Sequence, residues 1–130
     1  MNALKFIRES GAVIIDGYVI QVKVGTELNV EFDFMAAWEI IKCLPKQFRM
    51  LRLIHVHPDG IQEPSRQDWL VLKAWQRALG SKFMVTMEIL TVDGVRTFAP
   101  EGKEVNSAFS NEIFELLIDL SYLRRDCYWL

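Results

Sequence analysis

The stretch Met50-Leu51-Arg52-Leu53-Ile54-His55-Val56-His57-Pro58-Asp59-Gly60, followed by Pro64-Ser65 and the run Arg66 to Leu79, decides how this chain is read. Met50 to His57 is apolar. Leu51, Leu53, His55 and His57 alternate, so they share one face of a strand. Pro58, Asp59 and Gly60 stop that strand and turn the chain. Beyond Ser65 the period changes: Val71, Leu72, Trp75, Ala78 and Leu79 gather on one side of a helix, with Lys73, Gln76 and Arg77 opposite. Asp68 falls in line with Leu72, Trp75 and Leu79, near the middle of the apolar side. A carboxylate aimed at a core is costly unless something compensates it. His55 and His57 are the chain's two histidines, and side chains two apart on one strand face lie about 6.5–7 Å apart. They can converge on one metal ion, and a cation held there compensates Asp68.

Each piece also has a plainer reading. Ser65-x-x-Asp68 is close to a capping box, although Glu or Gln is the usual partner. Two strand histidines can be hydrogen-bonded core residues. The conjunction is what favours a metal: from average residue usage the four-residue pattern arises by chance about once in several thousand chains of this length. Two imidazoles and a carboxylate with an open position suit zinc, one ion per chain. A purely structural zinc predicts four protein ligands, and only three good ones are visible.

The pattern His55-x-His57, seven residues, Ser65, two residues, Asp68 resembles the motif of the JAMM (MPN-plus, JAB-domain) zinc metalloproteases in all four residue types and both spacings. The resemblance implies His55, His57 and Asp68 as zinc ligands with water in the fourth position, and Ser65 as the donor that stabilises the oxyanion. It also implies an upstream glutamate as general acid/base. Family members usually carry Ser or Thr between the histidines, where this chain has Val56. Glu9 is the expected base, because Glu9-Ser10-Gly11-Ala12-Val13-Ile14-Ile15 is similar to the family segment in which a glutamate opens a glycine-containing apolar strand. The family has two residues between Glu and Gly; here Ser10 stands alone. Glu31, which shares a strand face with Asp33, is the other candidate. A chain with neither as base would bind zinc without hydrolysing anything.

Composition sets the frame. The chain has 130 residues, 51% hydrophobic and 25% charged, which is the balance of one globular domain over residues 1–130 and not of a disordered chain. The net charge of −2 implies no strong attraction to nucleic acid or anionic membrane. No apolar run approaches the length of a membrane span, and the N-terminus lacks a signal-peptide core. Cys43 and Cys127 form no spaced metal pair and are expected as reduced thiols in a cytoplasm.

Along the chain, Gly11 to Ile15, Tyr18 to Val24 and Leu28 to Phe34 predict an antiparallel meander, with Asp16-Gly17 as a hairpin turn and Gly25-Thr26 as a second. Met35 to Leu44 predicts a helix with Ala36, Ile40, Cys43 and Leu44 at apolar spacings and Pro45 past its end. The histidine strand and the Asp68 helix follow. Phe83 to Val92 and Val95 to Ala99 predict a hairpin across Asp93-Gly94, and Pro100 to Lys103 a loop. Ser110 is placed to cap a last helix from Asn111 to about Arg125, with Ile113, Phe114, Leu117, Leu120 and Leu123 toward the core. The aromatic tail Asp126 to Leu130 is expected to pack on the domain or to join a homo-oligomer.

This order predicts an α/β (α+β) domain: a mixed, largely antiparallel sheet flanked by helices. The JAMM fold has a similar order, in a layered architecture related to that of cytidine deaminases. Deaminase chemistry needs His-x-Glu with Pro-Cys-x-x-Cys, which is absent. His57-Pro58-Asp59 matches the tripeptide of J-domain co-chaperones, but an apolar strand precedes it where a helix is needed. By the resemblance, the expected function is a zinc-dependent peptidase or isopeptidase, and the substrate a peptide or the tail of a ubiquitin-like or sulfur-carrier protein. A non-catalytic MPN-type interaction module is the alternative. Trp69, beside Asp68 on the helix flank, is the tryptophan placed to line a site.

Overall fold

The computed structural model describes residues 6–47, 49–106 and 111–122. The chain forms six strands and three helices: β1 Ser10–Ile15, β2 Tyr18–Val24, α1 Phe34–Ile41, β3 Arg49–Val56, α2 Arg66–Leu79, β4 Phe83–Thr91, β5 Gly94–Phe98, β6 Glu104–Val105 and α3 Asn111–Tyr122. It is an α+β domain built on one mixed sheet in the order β2-β1-β3-β4-β5-β6. Every pairing is antiparallel except β3 with β4. That parallel pair is joined by α2, as a parallel connection requires.

The alternation of β1, β3 and β4 supplies both faces of the sheet. Val13, Ile15, Leu51, Leu53, Val85, Met87 and Ile89 pack against α1 and α2 through Ala37, Ile41, Leu72, Trp75 and Leu79. Ala12, Ile14, Ile54, Val56 and Leu90 pack on the other face against Ile113, Phe114 and Leu117 of α3. Strands buried on both faces explain why Met50 to Val56 carries so few polar residues. Ser10 ties the start of β1 to α3: its hydroxyl reaches Leu117 O at 2.9 Å and Ser121 Oγ at 2.7 Å.

Four expectations change. Leu28 to Phe34 is not a third meander strand, and β1 takes β3 as its second neighbour. The chain instead doubles back at Gly25, where Thr26 N donates to Asn29 O and Thr26 Oγ1 accepts from the N–H groups of Leu28 and Asn29. Farther on, the Gln21 amide takes both backbone groups of Asp33, at 2.8 and 3.0 Å, which removes them from any ladder. Asp33 then caps α1 through a bond from Ala36 N, so the helix starts at Phe34. Its buried residues are Ala37 and Ile41, while Ala36, Ile40 and Cys43 are exposed. That rotates the expected apolar face by about one residue, because the core lies on the Phe34–Trp38 side. On α2, Leu72, Trp75 and Leu79 are buried, but Ala78 is exposed and Gln76 is half-buried, bonded to Phe83 O and Val85 N. The loop after Pro100 leads into a short edge strand, β6, that the sequence pattern did not mark. Ser110, Leu123, Cys127 and the aromatic tail lie outside the described residues.

Candidate metal centre

The site forms where β3 ends and α2 begins. His55 and His57 follow the apolar alternation of β3 onto the α2 face, and their side chains are 3% and 7% exposed. His57 N still donates to Leu90 O at 2.9 Å, which holds the strand's last turn in register. The chain then folds back: Gly60 N donates to His57 O, and Asp59 Oδ1 accepts from Ile61 N. This brings Ile61 O within 2.9 Å of His57 Nδ1. A carbonyl can only accept, so Nδ1 donates to it, and Nε2 is the nitrogen that faces the site.

Asp68 enters from the first turn of α2. Ser65 Oγ accepts from Asp68 N at 3.1 Å, and Asp68 Oδ2 accepts from Ser65 N at 2.8 Å, a reciprocal capping box. The plainer reading of Ser65-x-x-Asp68 is therefore present. It does not displace the other one. The same Oδ2 lies 3.1 Å from His57 Nε2, and Oδ1 lies 3.6 Å from His55 Nε2. Capping aims the carboxylate between two rings whose centroids are 4.8 Å apart and nearly perpendicular, at 88°.

The donor set fits a small divalent cation. With bonds of about 2.0–2.1 Å, two donors on a tetrahedral zinc stand about 3.3–3.4 Å apart. The two Asp68–histidine distances fall on either side of that value. His55 Nε2 is buried without a hydrogen-bond partner among the described residues, a state that costs free energy unless something occupies the lone pair. On the other edge of that ring, Nδ1 lies 3.4 Å from Glu9 Oε1, a carboxylate placed to accept from it, and Nε2 again faces the site.

Glu9 precedes β1 and is held by its backbone. Glu9 N donates to Thr26 O and Gly25 N donates to Glu9 O, which prolongs the β1–β2 pairing past Ser10 and Val24. Its side chain is 12% exposed. One donor atom from each of Glu9, His55 and His57 lies within 4.8 Å of the others. Two carboxylates thus compete for the third ligand position. Asp68 faces Nε2 of both rings, through Oδ1 for His55 and Oδ2 for His57, whereas Glu9 faces the Nδ1 edge of His55. Glu31 is exposed on the wall of the same cleft, with Oε1 3.4 Å from Asn29 Nδ2. His55 lies against both Glu9 and Asp68, and His57 against Asp68.

Electrostatics follows the geometry. Burial favours the neutral form of His57, but the bonds to Asp68 and Ile61 and the charges of Asp68 and Glu9 outweigh it, so its pKa lies above the ordinary histidine value. Burial also pushes the Asp68 carboxyl up, against the bond from His57, the His55 charge, the Ser65 N–H and the His57 charge. The result is a pKa of about 2. Asp68 is thus anionic at any physiological pH, as a metal ligand must be. A proton on His57 and a metal at its Nε2 are alternative ways to separate the lone pair from the carboxylate.

The centre opens into a cleft of about 510 Å³, lined by Leu28 to Phe32 of the doubled-back loop and by Val71 and Trp75 of α2. Trp69 is not part of it; its ring packs edge-on against Phe98, 5.6 Å away. A second cleft on the other sheet face contains Arg52 and Glu88, which are paired with each other. The sequence reading missed Gly11, Gly25 and Phe32 as parts of the site. A glycine inside an apolar strand was the available signal for the first, since it often marks a close backbone approach.

No family model and no curated protein matches the chain. No helix among the described residues is long and apolar enough to cross a membrane.

Proposed function

We propose that the chain is a zinc-dependent hydrolase of peptide or isopeptide amides, with a layered domain of the JAMM kind. One observation carries the reading: the Asp68 carboxylate lies between two histidine Nε2 atoms, one of them buried and without a hydrogen-bond partner among the described residues, with a second carboxylate alongside. His55, His57 and Asp68 would hold the ion. Zinc bound there supplies a Lewis acid and a water acidified to a pKa of about 7.

The chain's own groups account for the remaining work. The Glu9 carboxylate would take the proton from the attacking water and deliver it to the leaving nitrogen. Ser65 Oγ spends a lone pair on Asp68 N, which leaves its hydroxyl proton free to donate to the developing oxyanion. The tail of a ubiquitin-like or sulfur-carrier protein is the substrate that the motif resemblance suggests, and the cytoplasm the compartment.

Metal analysis of purified protein, paired with hydrolysis of peptide and isopeptide substrates, tests this. The expected result is one zinc per chain, activity abolished by chelation, and Glu9→Gln that keeps zinc but loses turnover. A zinc-loaded protein that hydrolyses no amide, and whose Glu9→Gln variant is indistinguishable, would favour a non-catalytic interaction module. Absence of zinc binding would reject the site.

A further inference from the structure

We infer that Phe32 is a positioning residue: its ring locks His55 in the rotamer that turns Nε2 toward Asp68. The inference rests on the metal-centre reading above for its purpose, but not for its geometry. The Phe32 ring meets the His55 ring edge-on, with centroids 6.2 Å apart at 78°, and the Trp75 ring at 6.2 Å and 77°. Trp75 in turn meets Phe34 at 4.9 Å and 86°. A relay of perpendicular rings thus runs from the start of α1, through α2 and the loop, to the histidine pair.

Two glycines make this packing feasible. Gly11 is the direct cross-strand partner of His55. A Cβ at Gly11 would stand 2.8 Å from Cε1 and Cζ of Phe32 and 2.8 Å from Ile54 O. The far end of the Phe32 ring therefore occupies the space that a side chain beside His55 would fill. Gly25 closes the loop that delivers Phe32: a Cβ there would stand 2.0 Å from Asn29 O. The same loop accepts from Glu9 N through Thr26 O and donates to Glu9 O through Gly25 N. One segment, residues 25–33, fixes the backbone of Glu9 and the ring of His55 together. The 3.4 Å spacing of Glu9 Oε1 from His55 Nδ1 is a product of that loop as much as of the strands.

Supporting groups behind a metal-binding histidine are worth about 10–100-fold in affinity when they are lost. The test compares Phe32→Leu with Phe34→Leu, a change two rings farther along the same relay, beyond Trp75. Three quantities are read: melting temperature without metal, zinc affinity by competition with a chromophoric chelator, and the His55 ring signals in the NMR spectrum of the metal-free protein. Phe32→Leu is expected to lower zinc affinity by about tenfold or more and to broaden or double the His55 ring signals through rotamer exchange. Phe34→Leu is expected to lower the melting temperature while leaving both the affinity and those signals as in wild type. If Phe32→Leu keeps wild-type affinity and a single sharp His55 ring, the inference is wrong. It is equally wrong if both variants lose affinity in proportion to stability. Should the wild-type protein bind no zinc, the metal reading fails, and the His55 signals alone still decide the role of Phe32.

Discussion

Asp68→Asn separates the two jobs that Asp68 performs. The amide oxygen can still accept from Ser65 N, so the capping box survives. The amide nitrogen then stands where Oδ1 stood, 3.6 Å from His55 Nε2, and a neutral oxygen replaces the anionic Oδ2 3.1 Å from His57 Nε2. What is lost is the negative charge at the helix N-terminus, about 0.3–1 kcal/mol. At a pH above the raised His57 value, where no ion pair remains to be broken, the metal-free variant should therefore melt within about 4 °C of wild type. Metal binding should respond on another scale. Structural zinc is worth about 10–16 kcal/mol over four ligands, or about 2.5–4 kcal/mol each, so exchanging an anionic ligand for an amide should weaken zinc by about a hundredfold. The assay is chelator competition for affinity and thermal melting with and without zinc. A variant that binds zinc as tightly as wild type would refute the ligand assignment, whatever its stability. A variant that is grossly destabilised without metal would show that the Asp68 charge serves the fold in a way the capping geometry does not capture.

Further outcomes follow from the same contacts. In the metal-free protein the depressed Asp68 pKa of about 2, against 3.8 for a free group, gives stability that is present above pH 3.8 and lost as pH falls toward 2, about 2 kcal/mol at most. The raised His57 pKa works in the opposite sense: its contribution is complete below about pH 6.5 and is lost as pH rises through the folded value. Zinc should abolish that alkaline loss, because the deprotonated ring is the ligand; chemical denaturation across pH, with and without zinc, reads both limbs. Gly25→Ala forces a Cβ to within 2.0 Å of a backbone oxygen and should cost about 1–3 kcal/mol, along with zinc affinity, since Glu9 and Phe32 both depend on that loop. Arg52 and Glu88 form a two-pronged ion pair at 2.5 and 2.8 Å, with side chains 9% and 1% exposed. Arg52→Met should cost about 3–5 kcal/mol by stranding the Glu88 charge, with most of it recovered in Arg52→Met/Glu88→Leu, and no effect on zinc affinity in either.

The histidine strand and the Asp68 helix were legible because their periodicities are strong and their punctuation is unambiguous. Pro58-Asp59-Gly60 ends one element and Ser65 opens the next, and α2 runs over Arg66–Leu79, the residues the sequence pattern marks. The hairpins across Asp16-Gly17 and Asp93-Gly94 were legible for the same reason. Leu28 to Phe34 was not. Its alternation of Leu28, Val30, Phe32 and Phe34 is that of a strand, but the backbone groups a strand would pair are taken by Thr26, Gln21 and the cap of α1. Side-chain competition for backbone bonds leaves no periodic trace in a sequence. The alternation still reports something real, since Phe32 and Phe34 both pack on Trp75. Glu9 could be picked out only by resemblance, because its approach to His55 depends on β1 pairing with β3, a long-range choice that no local pattern encodes.

The two readings of Ser65-x-x-Asp68, helix cap and ligand, are not rivals in this fold. The N3 position of α2 is where a carboxylate is favoured by the helix dipole and by Ser65 N. Placed there, at the carboxyl end of a parallel strand pair, it must face whatever that strand presents. Had β3 carried leucine at positions 55 and 57, the same box would cap α2 and mean nothing more. Because two imidazoles here turn their Nδ1 atoms to Ile61 O and Glu9 Oε1, the cap delivers an anion to the Nε2 side of both rings at once. In the metal-free protein a proton on His57 stands between its ring and Asp68, and a cation would take that place. The discriminating fact is therefore the tautomer of the rings and not the presence of the cap. A measurement of which nitrogen of His55 and His57 carries the proton in the metal-free protein bears on the site more directly than any property of α2.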